Sequence, residues 1–175
     1  MDTMTAIRTR KSFRGPFMED KRITREDLQE IVEAGAMAPS GCNLQTTEFI
    51  GVDDPQLVKE LAVIYGKPWA EGSTAAVLLL SKETPSPSGV SYHIHDYSAA
   101  AENIYLAATE KGIGTVWIEG QIHGEKAEKM ASLLGVPKDM TIFVYMPLGY
   151  PAEEGPHKNK IPLKDRMWFN GYKNS

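Results

Sequence analysis

The chain has 175 residues, of which 42% are hydrophobic and 24% charged, a balance typical of a folded globular protein. Its single cysteine, Cys42, excludes an intrachain disulfide framework and any metal site built from several thiolates. The longest apolar runs, such as Ala75–Leu80, are far shorter than a membrane span, and the first residues contain no apolar signal region. We therefore expect one cytoplasmic domain over residues 1–175 with no membrane partner, and the net charge of −4 does not favour bulk nucleic-acid binding.

Helix caps and hydrophobic spacing predict alternating helices and strands. Thr24 and Asp54 are typical N-cap residues, and Gly112 and Gly135 are typical helix ends. In chain order, the predicted elements are a short helix Thr3–Arg10, a helix capped by Thr24 and ended by Pro39, a strand Thr47–Val52, a helix from Pro55, a strand Ala75–Ser81, a helix Asp96–Lys111, a strand Gly114–Glu119, a helix Glu125–Leu134 and a strand Thr141–Leu148. This order favours a sheet covered by helices.

Positive charge is concentrated at the two ends of the chain. Residues 1–25 contain seven Lys or Arg against three acids, and residues 156–175 contain five against one, so each end carries +4 and the middle −12. Like-charged ends repel each other unless an anion lies between them. The two ends therefore either lie apart in solvent or share an anionic ligand.

Three patterns that suggest a ligand or a nucleophile are incomplete. Gly112-Ile113-Gly114 follows a helix and enters a strand, whereas a dinucleotide-binding loop leads into a helix. His93 and His95 would point to one side of a strand, but no carboxylate or thiolate pattern completes a metal site. Cys42 has no evident partner base, so we interpret it as a small buried residue, and we expect no metal.

The segment after the first predicted helix is the most informative. Arg10, Lys11, Ser12 and Arg14 place three cations and a hydroxyl within five residues, a set that binds a phosphate through charge-assisted hydrogen bonds. The alternatives are a solvated basic stretch or a nucleic-acid-binding arm.

Other segments supply complementary groups. The loop Ala38–Gln45 is small and polar, and it offers backbone N–H groups and amides to a planar heteroaromatic ligand. Gly120 follows a predicted strand and allows close approach to the backbone. Lys158 and Lys160 alternate in the basic tail, so both can point to one side.

With these motifs the chain resembles the nitroreductase family of FMN-dependent oxidoreductases. The matching segments, in chain order, are Arg10-Lys11-Ser12-x-Arg14, Pro39-Ser40-Gly41-x-Asn43-x-Gln45, Asp96-x-Ser98-Ala99-Ala100-x-x-Asn103, Gly112-Ile113-Gly114-Thr115-x-Trp117-Ile118, Leu148-Gly149-Tyr150-Pro151 and Lys158-x-Lys160. One departure is Gln45-Thr46-Thr47, where many members have Gln-Pro-Trp. The resemblance implies an α+β fold, an α-β-α sandwich with a central mixed sheet, in an obligate homodimer with FMN at the subunit interface.

The resemblance also implies roles for individual residues. The FMN phosphate and nearby polar edges would be held by Arg10, Lys11, Ser12, Arg14, Lys158 and Lys160. The partner subunit would supply Pro39, Ser40, Gly41 and Asn43. Glu119 and Gly120 would approach the flavin near N5, and Lys67 its pyrimidine edge.

The implied reaction is hydride transfer from NADH or NADPH to FMN, followed by reduction of a small acceptor such as a nitroaromatic or a quinone, in a ping-pong cycle. No catalytic side chain is required, because the cofactor carries the chemistry. Residues Ser88–His95 are expected to replace the insertion that often covers the substrate. The alternatives are reductive dehalogenation, ene reduction or flavin modification on the same scaffold, and a non-enzymatic anion- or nucleic-acid-binding module.

Overall fold

Helices and strands alternate in the predicted order in the computed structural model, which describes residues 1–173. The helices are α1 (Thr3–Thr9), α2 (Arg25–Ala36), α3 (Pro55–Tyr65), α4 (His93–Glu110) and α5 (Glu125–Leu134). The strands are β1 (Glu48–Val52), β2 (Ala75–Ser81), β3 (Gly114–Thr115) and β4 (Thr141–Gly149). Thr24 and Asp54 accept hydrogen bonds from the first-turn N–H groups of α2 and α3, which confirms both predicted caps.

The sheet has the strand order β1-β2-β4-β3, and its ladders are antiparallel. Among residues 1–173, the only parallel pairing is an isolated bridge between Ser12 and Thr115. The mixed character expected of the sheet is therefore limited to this bridge, which ties the segment after α1 to β3.

Helices cover both faces of the sheet, which confirms the sandwich. Ala75, Val77 and Leu79 of β2 pack with α2 and α4, whereas Ala76, Leu78 and Leu80 pack with α3 and α5. Successive side chains of a strand point to opposite faces, so a strand between two cores must be apolar at every position. All seven residues of β2 are buried: six form the apolar run Ala75–Leu80, and the seventh, Ser81, donates its hydroxyl to the Thr46 carbonyl at 2.9 Å.

Two predicted boundaries are wrong. Helix α4 begins at His93, three residues before the predicted start, so His93 and His95 lie in its first turn and not in a strand. Strand β3 ends at Thr115, not at Glu119, and pairing resumes only at the bridge between Ile118 and Tyr145. The ladder is interrupted opposite Pro147, which has no N–H to donate and whose carbonyl accepts a hydrogen bond from the Thr115 hydroxyl at 2.8 Å.

Phe13 and Phe17 anchor the N-terminal segment against the edge of the sheet. Both are buried, and their rings meet edge to face with centroids 5.3 Å apart. A Cβ atom on Gly114 would lie 2.6 Å from the Phe13 ring, and one on Gly149 would lie 2.5 Å from the Phe17 ring. The glycines are therefore needed because the two rings lie directly on the backbone.

Backbone hydrogen bonds hold the same segment in register. The Phe13 N–H donates to the Thr115 carbonyl at 2.8 Å, and the Met18 N–H donates to the Tyr150 carbonyl at 2.8 Å. The chain after β4 consequently lies beside the chain after α1.

None of the helices within residues 1–173 combines the length and the hydrophobicity needed to cross a lipid bilayer.

We expect Phe13→Ala to lower the free energy of unfolding by about 3–5 kcal/mol, because it removes a buried ring and leaves a cavity over Gly114. Denaturant unfolding followed by circular dichroism measures the change. The control is Val63→Ala on α3, where the residue is 58% exposed, with an expected change within about 0.5 kcal/mol. Equal effects of the two substitutions would contradict the anchoring role of Phe13.

Candidate functional site

The two cationic ends of the chain meet at one pocket. Its volume is about 210 Å³. The lining residues are Arg10, Lys11, Ser12 and Arg14 from the segment after α1, and Pro156, His157, Lys158 and Lys160 from the tail after β4. The structure thus brings together all six residues that the resemblance assigns to the phosphate, and the alternative of ends lying apart does not hold.

Neighbouring groups fix the first two cations of this pocket. The Arg10 guanidinium lies over the ring of Tyr105, 4.8 Å from its centroid, and its Nε atom lies 3.3 Å from Glu102 Oε1. Lys11 Nζ donates to the Gly155 carbonyl at 2.9 Å. Both side chains are therefore oriented before any ligand arrives.

The other three cations of the pocket are not paired with carboxylates of the described residues. Among residues 1–173, Arg14, Lys158 and Lys160 form no salt bridge with a carboxylate. Three cations without counter-charges, beside a serine hydroxyl, match the charge and the hydrogen-bonding demand of a phosphate dianion. The pocket volume holds a phosphoryl group but only part of a larger cofactor.

His157 is a pocket residue that the sequence did not single out. Its Nε2 atom lies 3.0 Å from the Arg8 carbonyl oxygen. A carbonyl only accepts, so Nε2 carries the proton and donates, which links the tail to the last turn of α1. No motif marks this histidine, because the contact exists only when the two ends of the chain are together.

The loop after α2 lies apart from this pocket. Pro39 and Ser40 line a second cavity of about 140 Å³ that shares no residue with the first. Gly41 and Asn43 form a 3-10 turn on this loop. Within one chain, the structure therefore does not bring these four residues to the phosphate pocket.

The turn itself is strained and held by hydrogen bonds. Cys42, Asn43 and Gln45 have φ angles of 52°, 55° and 50°, in the left-handed region that costs most non-glycine residues about 1–2 kcal/mol each. The Asp96 carboxylate accepts from the Gly41 N–H at 2.8 Å and from the Thr46 hydroxyl at 2.8 Å. The prediction of a buried Cys42 is wrong, since the side chain is exposed on this turn.

The segment Ser88–His95 contacts the same loop through Tyr92. The isolated bridge between Pro85 and Ser91 closes a tight turn, and His93 to His95 belong to α4. The Tyr92 side chain lies directly on Gly41, where a Cβ atom would collide with it. Gly41 is therefore required for packing, whatever its role toward a ligand.

Glu119 and Gly120 directly follow Ile118, which forms the isolated bridge with Tyr145 of β4. The Glu119 carboxylate accepts from the Tyr97 hydroxyl at 2.7 Å and from Trp117 Nε1 at 3.1 Å. Burial, and then the hydrogen bond to Glu119, raises the pKa of Tyr97, which stays protonated as the donor. The sequence missed the role of Tyr97, because the contact joins α4 to a segment 22 residues away.

Gly120 and Lys67 differ in their surroundings. A Cβ atom on Gly120 would meet nothing within 4 Å, so the backbone there is open to a ligand. Lys67 caps the 3-10 turn Pro68–Gly72 and is exposed, and it lines neither the phosphate pocket nor the second cavity.

Within residues 1–173, no group of three or more His, Cys, Asp or Glu side chains comes close enough to hold a metal ion.

Comparison with known proteins identifies the family of this chain. The model of the nitroreductase family matches residues 7–91 and 68–150. An Archaeoglobus fulgidus protein, provisionally named NADH dehydrogenase/NAD(P)H nitroreductase, is 34% identical over 155 residues, which cover 87% of either chain.

Two solved structures show the same fold. An FMN-dependent nitroreductase from Clostridium difficile superposes with a TM-score of 0.80 at 25% identity, covering 97% of this chain and 99% of the other. The NADPH:FMN oxidoreductase from Vibrio harveyi, complexed with NAD+, superposes with a TM-score of 0.80 at 25% identity, covering 99% of this chain and 79% of the other. The chain therefore belongs to the nitroreductase family of oxidoreductases.

Proposed function

We propose that this protein is an FMN-dependent oxidoreductase that takes hydride from NADH or NADPH and passes the electrons to a small acceptor, such as a nitroaromatic or a quinone. The observation that carries the proposal is the pocket between the two ends of the chain, where Arg14, Lys158 and Lys160 form no salt bridge with a carboxylate of residues 1–173. The relatives named above support the cofactor and the reductant.

The residues present fit FMN at its phosphate. The dianion would satisfy the cations and the Ser12 hydroxyl, while Arg10 and Lys11 already have fixed orientations. The cofactor would extend from this pocket toward a surface with an open backbone, which Gly120 provides. When bound, FMN supplies the reversible acceptance and donation of electrons that no amino-acid side chain offers.

The polypeptide would mainly bind and orient. Tyr97 and Trp117 hold both oxygens of Glu119, and this fixes the adjoining backbone at Gly120 where a ring would pack. We propose no acid or base side chain. The same flavin ring would react first with the electron donor and then with the acceptor, which gives ping-pong kinetics.

We also propose that the working form is a homodimer that shares the flavin site between subunits. Residues 158–173 form a tail with little packing of its own. Its most exposed apolar side chains are Ile161, Leu163, Phe169 and Tyr172, each between 62% and 76% exposed. Four large apolar residues within 12 positions form a surface that a second copy of the chain would bury. The loop with Pro39 and Ser40 would then reach the phosphate pocket of the other subunit.

The first test is the visible spectrum of the purified protein. We expect flavin absorbance that bleaches when NADH or NADPH is added without oxygen and returns when a nitroaromatic or a quinone is added. Initial rates at several acceptor concentrations should give parallel double-reciprocal lines, as a ping-pong cycle requires. A protein that stays colourless with excess FMN would overturn the proposal. Bleaching that neither acceptor class reverses would favour the other flavin chemistries.

The second test removes cations from the pocket. We expect Arg14→Gln and Lys160→Gln each to weaken FMN binding about 10- to 100-fold, because each removes a charge-assisted hydrogen bond worth about 1.5–3 kcal/mol. Lys164→Gln, in the same tail but outside the pocket lining, is the control and should bind FMN normally. Riboflavin has no phosphate, so its dissociation constant should not change in any variant. Equal losses for riboflavin would place these cations elsewhere on the flavin.

The third test concerns the tail. We expect the combined substitution of Ile161, Leu163 and Phe169 by serine to convert the dimer into a monomer, because it removes the apolar surface that drives association. Sedimentation velocity measures the mass. Serine at Val63 and Val90, which are exposed outside the tail, is the control and should leave the mass unchanged. A wild-type protein that sediments as a monomer would overturn the shared site.

A further inference from the structure

We propose that Asp96 is a positioning residue for the flavin site. It locks the loop Ser40–Thr46 in the strained shape in which the loop serves the site of the other subunit. This inference rests on the proposed function.

Asp96 uses its whole carboxylate on this loop. The residue is 4% exposed and lies in the first turn of α4. One oxygen accepts from the Gly41 N–H and the other from the Thr46 hydroxyl, so the two hydrogen bonds hold both ends of the turn. The helix N-terminus also stabilises a negative charge at this position.

Apart from the contact of Tyr92 with Gly41, hydrogen bonds hold this turn, and the two to Asp96 join it to α4. The second cavity of about 140 Å³ lies beneath it, lined by Ser40, Gln45 and Thr47 among others. The Thr47 hydroxyl is buried and has no hydrogen-bond partner within residues 1–173. The three residues with left-handed φ angles beside this cavity would relax if the two hydrogen bonds to Asp96 were lost.

The side chains on this turn do not contribute to the core. Cys42, Asn43, Leu44 and Gln45 are exposed, although the carboxylate that holds them is buried. Burying a carboxylate costs desolvation free energy. Here the buried carboxylate of Asp96 maintains the shape of an exposed, strained turn. A fixed outward shape is what a binding surface requires.

The next residue of α4 has a parallel role. Tyr97 donates to Glu119, so consecutive residues of one helical turn fix the two segments that are expected to contact flavin. Because the loop lies apart from the phosphate pocket of its own chain, Asp96 would act on one flavin and Tyr97 on the other.

The direct test compares FMN with inorganic phosphate as ligands of the apoprotein. We expect Asp96→Ala to raise the dissociation constant for FMN at least tenfold and to shift the visible circular dichroism of bound flavin, while phosphate affinity stays unchanged. Arg14→Gln should weaken both ligands. Asp96→Asn, which retains an acceptor for Gly41, should restore part of the FMN affinity.

Two further variants separate positioning from general destabilisation. Thr46→Val removes one of the two bonds with little change in shape, and it should weaken FMN binding even if Asp96→Ala does not fold. Asn103→Ala removes another half-buried hydrogen bond of α4, to the Ala34 carbonyl, and should leave FMN affinity unchanged. Unchanged FMN affinity in the Asp96→Ala and Thr46→Val proteins overturns the role of Asp96 alone. Failure of the wild-type protein to bind FMN overturns the proposed function.

Mixed dimers test which flavin the loop serves. In a dimer of one Arg14→Gln subunit and one Asp96→Ala subunit, a loop that serves the partner leaves one site intact and places both defects in the other. We expect one tightly bound FMN per mixed dimer. If the loop serves its own subunit, each site has one defect and neither binds tightly, which overturns the proposal.

Discussion

The architecture of the site depends on two phenylalanine rings that pack against the backbone of glycine residues. Phe13 and Phe17 pack where Gly114 and Gly149 leave no side chain, and burying each ring contributes about 1.5–3 kcal/mol. This anchor fixes the segment after α1 beside the chain that leaves β4. Arg10 and Arg14, on either side of Phe13, are thereby placed next to the tail.

The electrostatics of the chain follow from that anchor. Packing forces two segments of like charge together, and several cations then lack a carboxylate partner within residues 1–173. Such repulsion is relieved most fully by an anion with several oxygens, which bonds to all of the cations at once. The acidic middle of the chain relieves this repulsion only in part, since among residues 1–173 the carboxylates that pair with the pocket cations are those of Glu102, with Arg10, and Glu154, with Lys11.

Helix α4 fixes two irregular segments that lie outside the phosphate pocket. Its first turn presents Asp96 to a strained loop and Tyr97 to Glu119, so two irregular segments take their shape from one rigid element. Loops positioned by a scaffold bind ligands with less loss of entropy than loops that must be ordered on binding. This arrangement suits the proposed role of the polypeptide, which is to hold a reactive ring.

Local chemistry in the sequence determined the order and type of the regular elements, since caps such as Thr24 and Asp54 and the all-apolar run of β2 act over a few residues. Motif spacing also indicated the cations of the pocket, although it did not mark His157. Only the tertiary structure decided where β3 ends, because the interruption comes from Pro147 on another strand. It likewise decided that Cys42 is exposed and that Asp96 and Tyr97 hold distant segments, since these contacts join residues whose proximity no local pattern encodes.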